Sequence, residues 1–331
     1  MKAILYNSAG ALRLIDDVEI PSISSEQILV KVVACGVNRL DLLQKAGRYP
    51  PPQGESTILG VEVSGYVHDI GDKAAAASGL KVGDGVCALV GGGGYAGYCV
   101  VPWETTVLIP NGISVLDAAG IPEAYLTAYS ALMWSARMRQ GESVMIHAGA
   151  SGVGTAAALI AKATGSSQIF VTSGSDAKLE ACSKLVNGDI HCINYKVKNF
   201  ADEVLKATNG RGVDIIVDFV GASYWEKNLR SIALDGRIVL LGLLGGAVTE
   251  CGFDMGTILR KRVSLVASTL RSRSLSYKAE LCREFKEKAF PLFTSGILKP
   301  VIDKVYVIEE VEAAHERMGS NQNVGKILLT L

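Results

Sequence analysis

The amino-acid sequence predicts an α/β protein built from a β-rich domain and a doubly wound domain with a parallel sheet. Its 331 residues are enough for about two domains. Short apolar segments broken by glycine and proline fill the first part of the chain. Apolar strands then alternate with helical segments, and strands return near the end. We therefore expect the β-rich domain to comprise residues 1–120 and 266–331, and the doubly wound domain to comprise residues 121–265.

Strands of two kinds predict the β-rich domain. Residues 28–34 form a clearly apolar strand, whereas residues 61–67 alternate between apolar and polar side chains, as a half-buried strand does. Proline and glycine clusters at residues 50–52 and 91–94 separate such strands. This pattern is typical of a small barrel or sandwich. Residues 73–79 are expected to form a flexible loop.

Five apolar segments predict the strands of the doubly wound domain. They lie at residues 143–146, 168–172, 190–195, 213–220 and 237–242. Helical segments separate them, and nearly every strand position is apolar, which indicates a parallel sheet covered by helices on both faces. In such sheets a ligand binds at the carboxyl ends of the strands.

A glycine-rich turn follows the first of these strands and precedes an alanine-rich helical run. Gly149, Gly152 and Gly154 lie in it, and Ser151 stands where the fingerprint G-x-G-x-x-G has its second glycine. Glycine lets the backbone approach a ligand closely, and the first N–H groups of the helix, including that of Val153, then face an anion. The turn therefore predicts a pyrophosphate site, with a plain strand-to-helix turn as the alternative.

The end of the second strand indicates which dinucleotide binds. NAD sites usually have an acidic residue there, which accepts a hydrogen bond from the ribose 2′-hydroxyl. This strand instead ends in Ser173, Gly174 and Ser175, which leaves room for a 2′-phosphate. Lys178 is placed to pair with that phosphate and Tyr195 to donate its hydroxyl. We therefore favour NADP(H) over NAD(H). A helix cap for Ser175 and an exposed helical lysine for Lys178 are the alternatives, and both remain compatible with ligand contact.

Charge and cysteine content exclude several classes of protein. The chain has 33 basic and 33 acidic residues, so its net charge attracts neither nucleic acid nor a membrane surface. Arg271 and Arg273 are accordingly expected to be solvated or to face phosphate. Seven cysteines without a C-x-x-C pair argue against a disulfide framework and a structural zinc site, and they indicate a reducing, cytoplasmic environment.

Several motifs together resemble the medium-chain dehydrogenase/reductase superfamily, in which a Rossmann domain is inserted into a GroES-like catalytic domain. Zinc alcohol dehydrogenases of this superfamily have a ligating cysteine at the position of Asn38 and a ligating histidine at that of Val61, so the resemblance implies a zinc-free protein. It is strongest to the zinc-free quinone oxidoreductase (zeta-crystallin-like) branch, in particular to its tumour-suppressor-inducible type. The motifs that carry it are residues 38–42, 47–52, 147–155, 221–228 and 270–273.

This resemblance implies NADPH-dependent reduction of quinones by a homodimer that pairs through a strand at residues 265–267. It places Asn38, Tyr49 and Thr127 near the nicotinamide, with Asn38 and Tyr49 as hydrogen-bond donors to the acceptor oxygen. Because water can protonate a quinol oxygen, no strong general acid is expected, and His147 is expected to be a packed residue. From the residue patterns and the resemblance together, the residues expected to bind the cofactor are Gly149, Ser151, Gly152, Val153, Gly154, Ser173, Gly174, Ser175, Lys178, Tyr195, Gly221, Gly242, Leu243, Leu244, Ser268, Thr269 and Leu270.

Two other functions stay open. Reduction of the activated C=C bond of an enone or enal needs the same hydride transfer but a different pocket. A nucleotide-binding protein with little turnover, in a redox-sensing or RNA-binding role, is the third possibility, although neutral charge and few aromatic residues weaken the RNA version.

Overall fold

Antiparallel strands form the beginning of the chain and parallel strands form its middle, whereas the strands at its end take part in both kinds of pairing. The computed structural model describes residues 1–250 and 252–331; Cys251, one of the seven cysteines, lies outside the described residues. The chain divides into two compact units. The first unit comprises Met1–Leu126 and Leu270–Leu331, and the second unit comprises Thr127–Thr269.

Strands and helices are numbered here in chain order. The strands are β1 (Ala3–Tyr6), β2 (Leu12–Ile15), β3 (Gln27–Val37), β4 (Glu62–Ile70), β5 (Gly85–Leu89), β6 (Tyr98–Pro102), β7 (Thr106–Leu108), β8 (Val144–Ile146), β9 (Ile169–Ser173), β10 (His191–Asn194), β11 (Val213–Asp218), β12 (Ile232–Leu240), β13 (Ser264–Ala267), β14 (Ile302–Val307) and β15 (Lys326–Thr330). The α-helices are α1 (Arg39–Lys45), α2 (Asp72–Ser78), α3 (Val115–Ala118), α4 (Pro122–Tyr129), α5 (Gly152–Ala163), α6 (Asp176–Leu185), α7 (Phe200–Ala207), α8 (Trp225–Ser231), α9 (Met255–Lys261), α10 (Leu275–Thr294) and α11 (Val311–Gly319).

The first unit is built on a mixed sheet in the order β14-β15-β3-β4-β5-β7, and β6 pairs with the first residues of β3 outside this order. β3 is its central strand, and its alternate side chains, such as Ile28 and Val30, lie in a core shared with Val63 and Leu329. β15 belongs to the last residues of the chain and pairs antiparallel with β3. The end of the chain is therefore part of the same sheet as its beginning.

The second unit contains parallel strands in the order β10-β9-β8-β11-β12-β13. Met145, Phe170 and Ile216 lie on neighbouring strands and are fully buried in its core. Helix α5 buries most of its alanines, which lets it pack closely on the sheet. Sequence order runs outward from β8 in one direction and from β11 in the other. Ligands of doubly wound sheets bind at such a reversal of strand order. The parallel sheet and its helices confirm the α/β fold class predicted from the sequence.

The structure shifts some of the predicted bounds. The second unit continues to Thr269 rather than ending at 265, because β13 pairs with β12 as far as Leu240 and Ala267. It begins at Thr127 rather than at 121. The expected flexible loop at residues 73–79 is wrong, because α2 occupies it. Its run of alanines has a high helix propensity, and Gly79 ends the helix in a left-handed conformation.

Among the helices of residues 1–250 and 252–331, none is both long and apolar enough to cross a membrane. The six described cysteines are all free.

Candidate cofactor site and polar cluster

The glycine-rich turn after β8 brings the backbone of two segments into direct contact. A Cβ atom at Gly149 would lie 2.6 Å from Cβ of Val171, and one at Gly154 would lie 2.5 Å from the carbonyl oxygen of Ala148. Neither position can accept a side chain without displacing backbone or a buried strand. The two outer glycines of the fingerprint are therefore required by close packing of α5 against the turn and against β9.

Ser151 explains how the turn departs from the fingerprint. It is the N-cap of α5, and its Oγ accepts a hydrogen bond of 3.0 Å from the backbone N–H of Gly154. The N–H groups of Gly152 and Val153 lie in the same first turn, where no helical carbonyl can reach them. They are free to bind an anion together with the positive end of the helix dipole. This geometry fits a dinucleotide pyrophosphate.

At the end of β9, the side chains of Tyr195 and Lys196 lie against the backbone of Gly174. A Cβ at Gly174 would lie 2.7 Å from the Tyr195 hydroxyl and 2.9 Å from Cε of Lys196. Asp176, the nearest acid in sequence, accepts a hydrogen bond of 2.8 Å from the Asn194 amide instead. Lys196 was not identified from the sequence. It could have been found from its position directly after Tyr195, a predicted cofactor residue. Lys196 adds a positive charge near the end of β9.

A buried chain of hydrogen bonds joins the carboxyl ends of the central strands. Nε2 of His147 lies 2.7 Å from Oδ1 of Asn228, whose Nδ2 donates to Asp218 at 3.0 Å, and Nδ1 of His147 lies 3.0 Å from the Thr172 hydroxyl. Burial lowers the pKa of His147, so the ring is neutral. Asn228 Oδ1 can only accept, which places the imidazole proton on Nε2. The expectation of a packed histidine agrees with this arrangement.

Asp218 uses its other carboxylate oxygen to hold the next turn. Oδ1 accepts hydrogen bonds from the backbone N–H groups of Val220 at 2.7 Å and Gly221 at 3.1 Å. The predicted cofactor residues Leu243 and Leu244 follow β12, and both are more than half exposed. Parallel strands end at the same edge of a sheet, so the residues that follow β8 to β13 share one edge. The predicted cofactor-binding residues that belong to the second unit are Gly149, Ser151, Gly152, Val153, Gly154, Ser173, Gly174, Ser175, Lys178, Tyr195, Gly221, Gly242, Leu243, Leu244, Ser268 and Thr269. Leu270, the remaining one, begins the returning segment of the first unit.

The buried side chains of Asn38, Asp41, Glu62 and Lys326 form a polar cluster in the first unit. A buried ion pair lies at its centre. Nζ of Lys326 is 2.6 Å from Glu62 Oε1 and 2.6 Å from Oδ1 of Asn38. The Asn38 amide donates to Glu62 Oε1 at 2.9 Å and to the carbonyl of Gly36 at 3.3 Å. Both amide hydrogens of Asn38 are thus used within the protein. To bind an acceptor oxygen, Asn38 would have to exchange one of these bonds.

The same donors do not fit a zinc ion. The Lys326 ammonium already supplies a positive charge to Glu62 and Asn38, and the neighbouring Val61 has no donor atom. Within the described part of the chain, no group of three or more His, Cys, Asp or Glu side chains could hold a metal ion.

Asp41 is the structural anchor of this cluster. It accepts hydrogen bonds from the backbone N–H groups of Asn38 at 2.7 Å and Gly60 at 3.1 Å and from the Tyr95 hydroxyl at 3.1 Å. The Tyr95 oxygen also lies 3.1 Å from Nε2 of His315. Burial raises the pKa of Asp41 to about 6, although these bonds oppose the shift. Both carboxylate oxygens are occupied, so Asp41 fixes the start of α1.

Two side chains that the sequence did not assign to the site lie next to Tyr49. The guanidinium carbon of Arg271 is 5.8 Å from the centre of the Tyr49 ring. Arg271 is only 3 % exposed, because Gly91 and Gln44 bind it inside the unit. Of the two expected environments, the solvated one is therefore wrong. Glu123 influences the pKa of Tyr49 together with Arg271. Thr127 belongs to the second unit, and its Oγ1 is buried without a hydrogen-bond partner among the residues described.

Two family descriptions match the chain. Residues 24–111 match "Alcohol dehydrogenase GroES-like domain" and residues 152–287 match "Zinc-binding dehydrogenase". These are the catalytic and nucleotide-binding halves that the sequence analysis expected.

Similar proteins match the chain over nearly its whole length. The quinone oxidoreductase of Rattus norvegicus is 32% identical over 98% of this chain and 95% of the rat protein. A mycobacterial protein in complex with NADPH has a TM-score of 0.87 at 26% identity, with full coverage of both chains. The CurK enoyl reductase has a TM-score of 0.84 at 27% identity over 99% of this chain and 98% of its own.

Proposed function

Because this chain belongs to the medium-chain dehydrogenase/reductase superfamily and resembles its quinone oxidoreductase branch, we propose that it reduces quinones with NADPH. The observation that carries this proposal is the Lys326 ammonium, which donates to Asn38 Oδ1 and pairs with Glu62 Oε1. The lysine ammonium neutralises the charge of Glu62 but, unlike a zinc ion, cannot act as a Lewis acid toward an alcohol. A quinone accepts hydride without such activation, since the nicotinamide carries the chemistry and the protein needs to orient the acceptor and exclude water.

The end of β9 supports NADPH as the hydride donor. Ser173, Gly174 and Ser175 end this strand without an acidic side chain that would repel a 2′-phosphate, and Tyr195 and Lys196 lie against Gly174. Lys178 and Lys196 bring two positive charges to the same strand end, and Ser175 opens α6 beside them. Asp176 is held by Asn194 and is not directed to a ribose by this bond.

We propose that Asn38 and Tyr49 of the first unit act near the acceptor, and separately that Thr127 of the second unit acts near the nicotinamide. Tyr49 is half-buried, and its hydroxyl is the remaining proposed donor to the acceptor oxygen. Asn38 acts mainly by holding Glu62 and Lys326 in place.

The test is NADPH oxidation with 1,2-naphthoquinone, compared with NADH and with an enone. We expect quinone reduction with a clear preference for NADPH, and a loss of rate in Tyr49→Ala. Binding of NADPH without turnover of any quinone would overturn the assignment and leave a nucleotide-binding role.

Reduction of an enone or enal is the second candidate. The likeness to the CurK enoyl reductase favours it, since that protein has the same fold over 99% of this chain. Faster turnover of the enone than of the quinone in the same assay would select it.

We also propose a homodimer that pairs through β13. β13 is the last strand in the order of the parallel sheet, so one of its edges has no neighbour within the described residues. Leu265 on this strand is exposed. The free thiols agree with a reducing, cytoplasmic location, which we infer from them.

A further inference from the structure

Arg271 is a buried cation with an unused donor. Its Nε donates to the carbonyl of Gly91 at 2.7 Å, and its Nη2 donates to Oε1 of Gln44 at 2.7 Å. Nη1 has no hydrogen-bond partner within the described residues, although the side chain is 3 % exposed. A buried guanidinium nitrogen without a partner costs free energy, so its retention points to a ligand that supplies the missing acceptor.

Glu123 is a carboxyl group in the same condition. Its backbone N–H donates to Oε2 of Glu62 at 2.8 Å, which fixes the start of α4 against the polar cluster. Its own Oε2 is shielded from solvent and has no partner among the residues that the structure describes. Burial, followed by the negative charge of Glu62, raises the pKa of Glu123 to about 7. The charged and titratable groups that face it are Glu62 on β4, Lys326 on β15, Asp41 on α1, Tyr49 after α1 and Arg271 before α10.

Arg271 and Glu123 both lie near Tyr49. Arg271 and Glu123 shift the pKa of Tyr49 in opposite directions and influence each other, so all three are close. A direct contact between Arg271 Nη1 and Glu123 Oε2 would satisfy both atoms. Both lack a partner, so the two atoms are not hydrogen-bonded to each other. A ligand that binds both needs an oxygen that can accept from a guanidinium and take a proton from an acid.

We propose that Arg271 and Glu123 form the acceptor-oxygen site, in which Nη1 of Arg271 binds the oxygen that gains negative charge and the Glu123 carboxyl protonates it. This inference rests on the proposed reductase function. The conjugated carbonyl compound would receive a hydride, with two electrons and one proton, from a bound reduced nicotinamide. A C–H bond of the cofactor would break, and a new bond to that hydrogen would form on the compound. The C=O π pair becomes a lone pair on oxygen, the O–H bond of Glu123 breaks, and a new O–H bond forms on the product. Water then reprotonates the carboxylate.

The other acids of the cluster are not suited to this role. Both oxygens of Asp41 accept hydrogen bonds from within the protein. Glu62 binds Lys326 and Asn38 through Oε1 and the N–H of Glu123 through Oε2. Glu123 is the acid whose oxygen remains available. The proton donor that the sequence analysis considered unnecessary is thus present in the protein.

The test is the pH profile of kcat with 1,2-naphthoquinone in wild type, Glu123→Gln and Glu123→Asp. Glu123 donates only when protonated, so kcat of the wild type should fall as pH rises through about 7. Glu123→Gln should lower kcat by roughly 100-fold and flatten the profile, in the range of a lost general acid. Glu123→Asp should recover part of the rate. NADPH affinity, measured by fluorescence, should be the same in both variants as in the wild type. An unchanged affinity would show that the variants are folded.

Glu55→Gln is the matched control, because Glu55, like Glu123, raises the pKa of Arg271 but is exposed. This variant should keep the pH profile of the wild type. Infrared difference spectra add a readout besides rate: a carboxylic C=O band that titrates near pH 7 in the wild type should be absent in Glu123→Gln. Wild-type kcat and pH dependence in Glu123→Gln would overturn this inference alone. Absence of quinone and enone turnover in the wild type would overturn the proposed function with it.

Discussion

The cofactor turn of the second unit and the polar cluster of the first unit are built in opposite ways. The turn uses backbone N–H groups and missing side chains within eight consecutive residues, 147–154. The cluster uses side chains that come from distant parts of the chain, such as Asn38 and Lys326, which are 288 residues apart. A site made of backbone depends on local conformation, whereas a site made of side chains depends on the whole sheet that joins β3, β4 and β15.

The largest effect that tests this contrast should come from Lys326→Met. The substitution leaves Glu62, which is fully buried, without its counter-charge. Loss of one partner of a buried pair costs about 3–5 kcal/mol of unfolding free energy. Urea unfolding at neutral pH measures it. Adding Glu62→Gln to Lys326→Met should recover a large part of the loss, and a single variant as stable as wild type would contradict the importance of the pair.

A smaller effect is expected at the cofactor end of the second unit. Lys196→Ala should weaken NADPH binding by roughly 10- to 100-fold and leave NADH binding unchanged, since a charge-assisted hydrogen bond to phosphate contributes about 1.5–3 kcal/mol. Fluorescence titration with both dinucleotides checks this. Lys198→Ala is the control, because Lys198 pairs with Glu203 at 3.1 Å. Equal losses for NADPH and NADH would assign Lys196 a structural role instead.

The smallest effect concerns the departure from the glycine fingerprint. Ser151→Ala removes the cap of α5 and should cost about 1 kcal/mol of unfolding free energy, whereas Ser151→Gly should cost a few tenths. Thermal or urea unfolding separates the two. If the alanine variant is the more stable, the serine is kept for the ligand and not for the helix.

The same contrast explains what could be predicted from the sequence. The α/β fold, the order of strand types and the turn at Ser151 follow from local patterns, because strand ends and helix starts are adjacent in the chain. Arg271 was misjudged because basic residues are usually solvated, and Gln44, which binds it, is 227 residues away. Glu123 gave no signal, since a glutamate in the first turn of a helix is ordinary and only its neighbours bury it. The helix at residues 72–78 was missed because a short alanine run beside glycine resembles a loop.

The Lys326 ammonium has a consequence for the conditions under which the protein works. A cation that is part of the polypeptide is made with the chain and stays with it. A chelating agent such as EDTA has nothing to extract from this position, and scarcity of trace metals in the growth medium does not leave the cluster half-assembled. The charge balance of Glu62 is in this way set at translation.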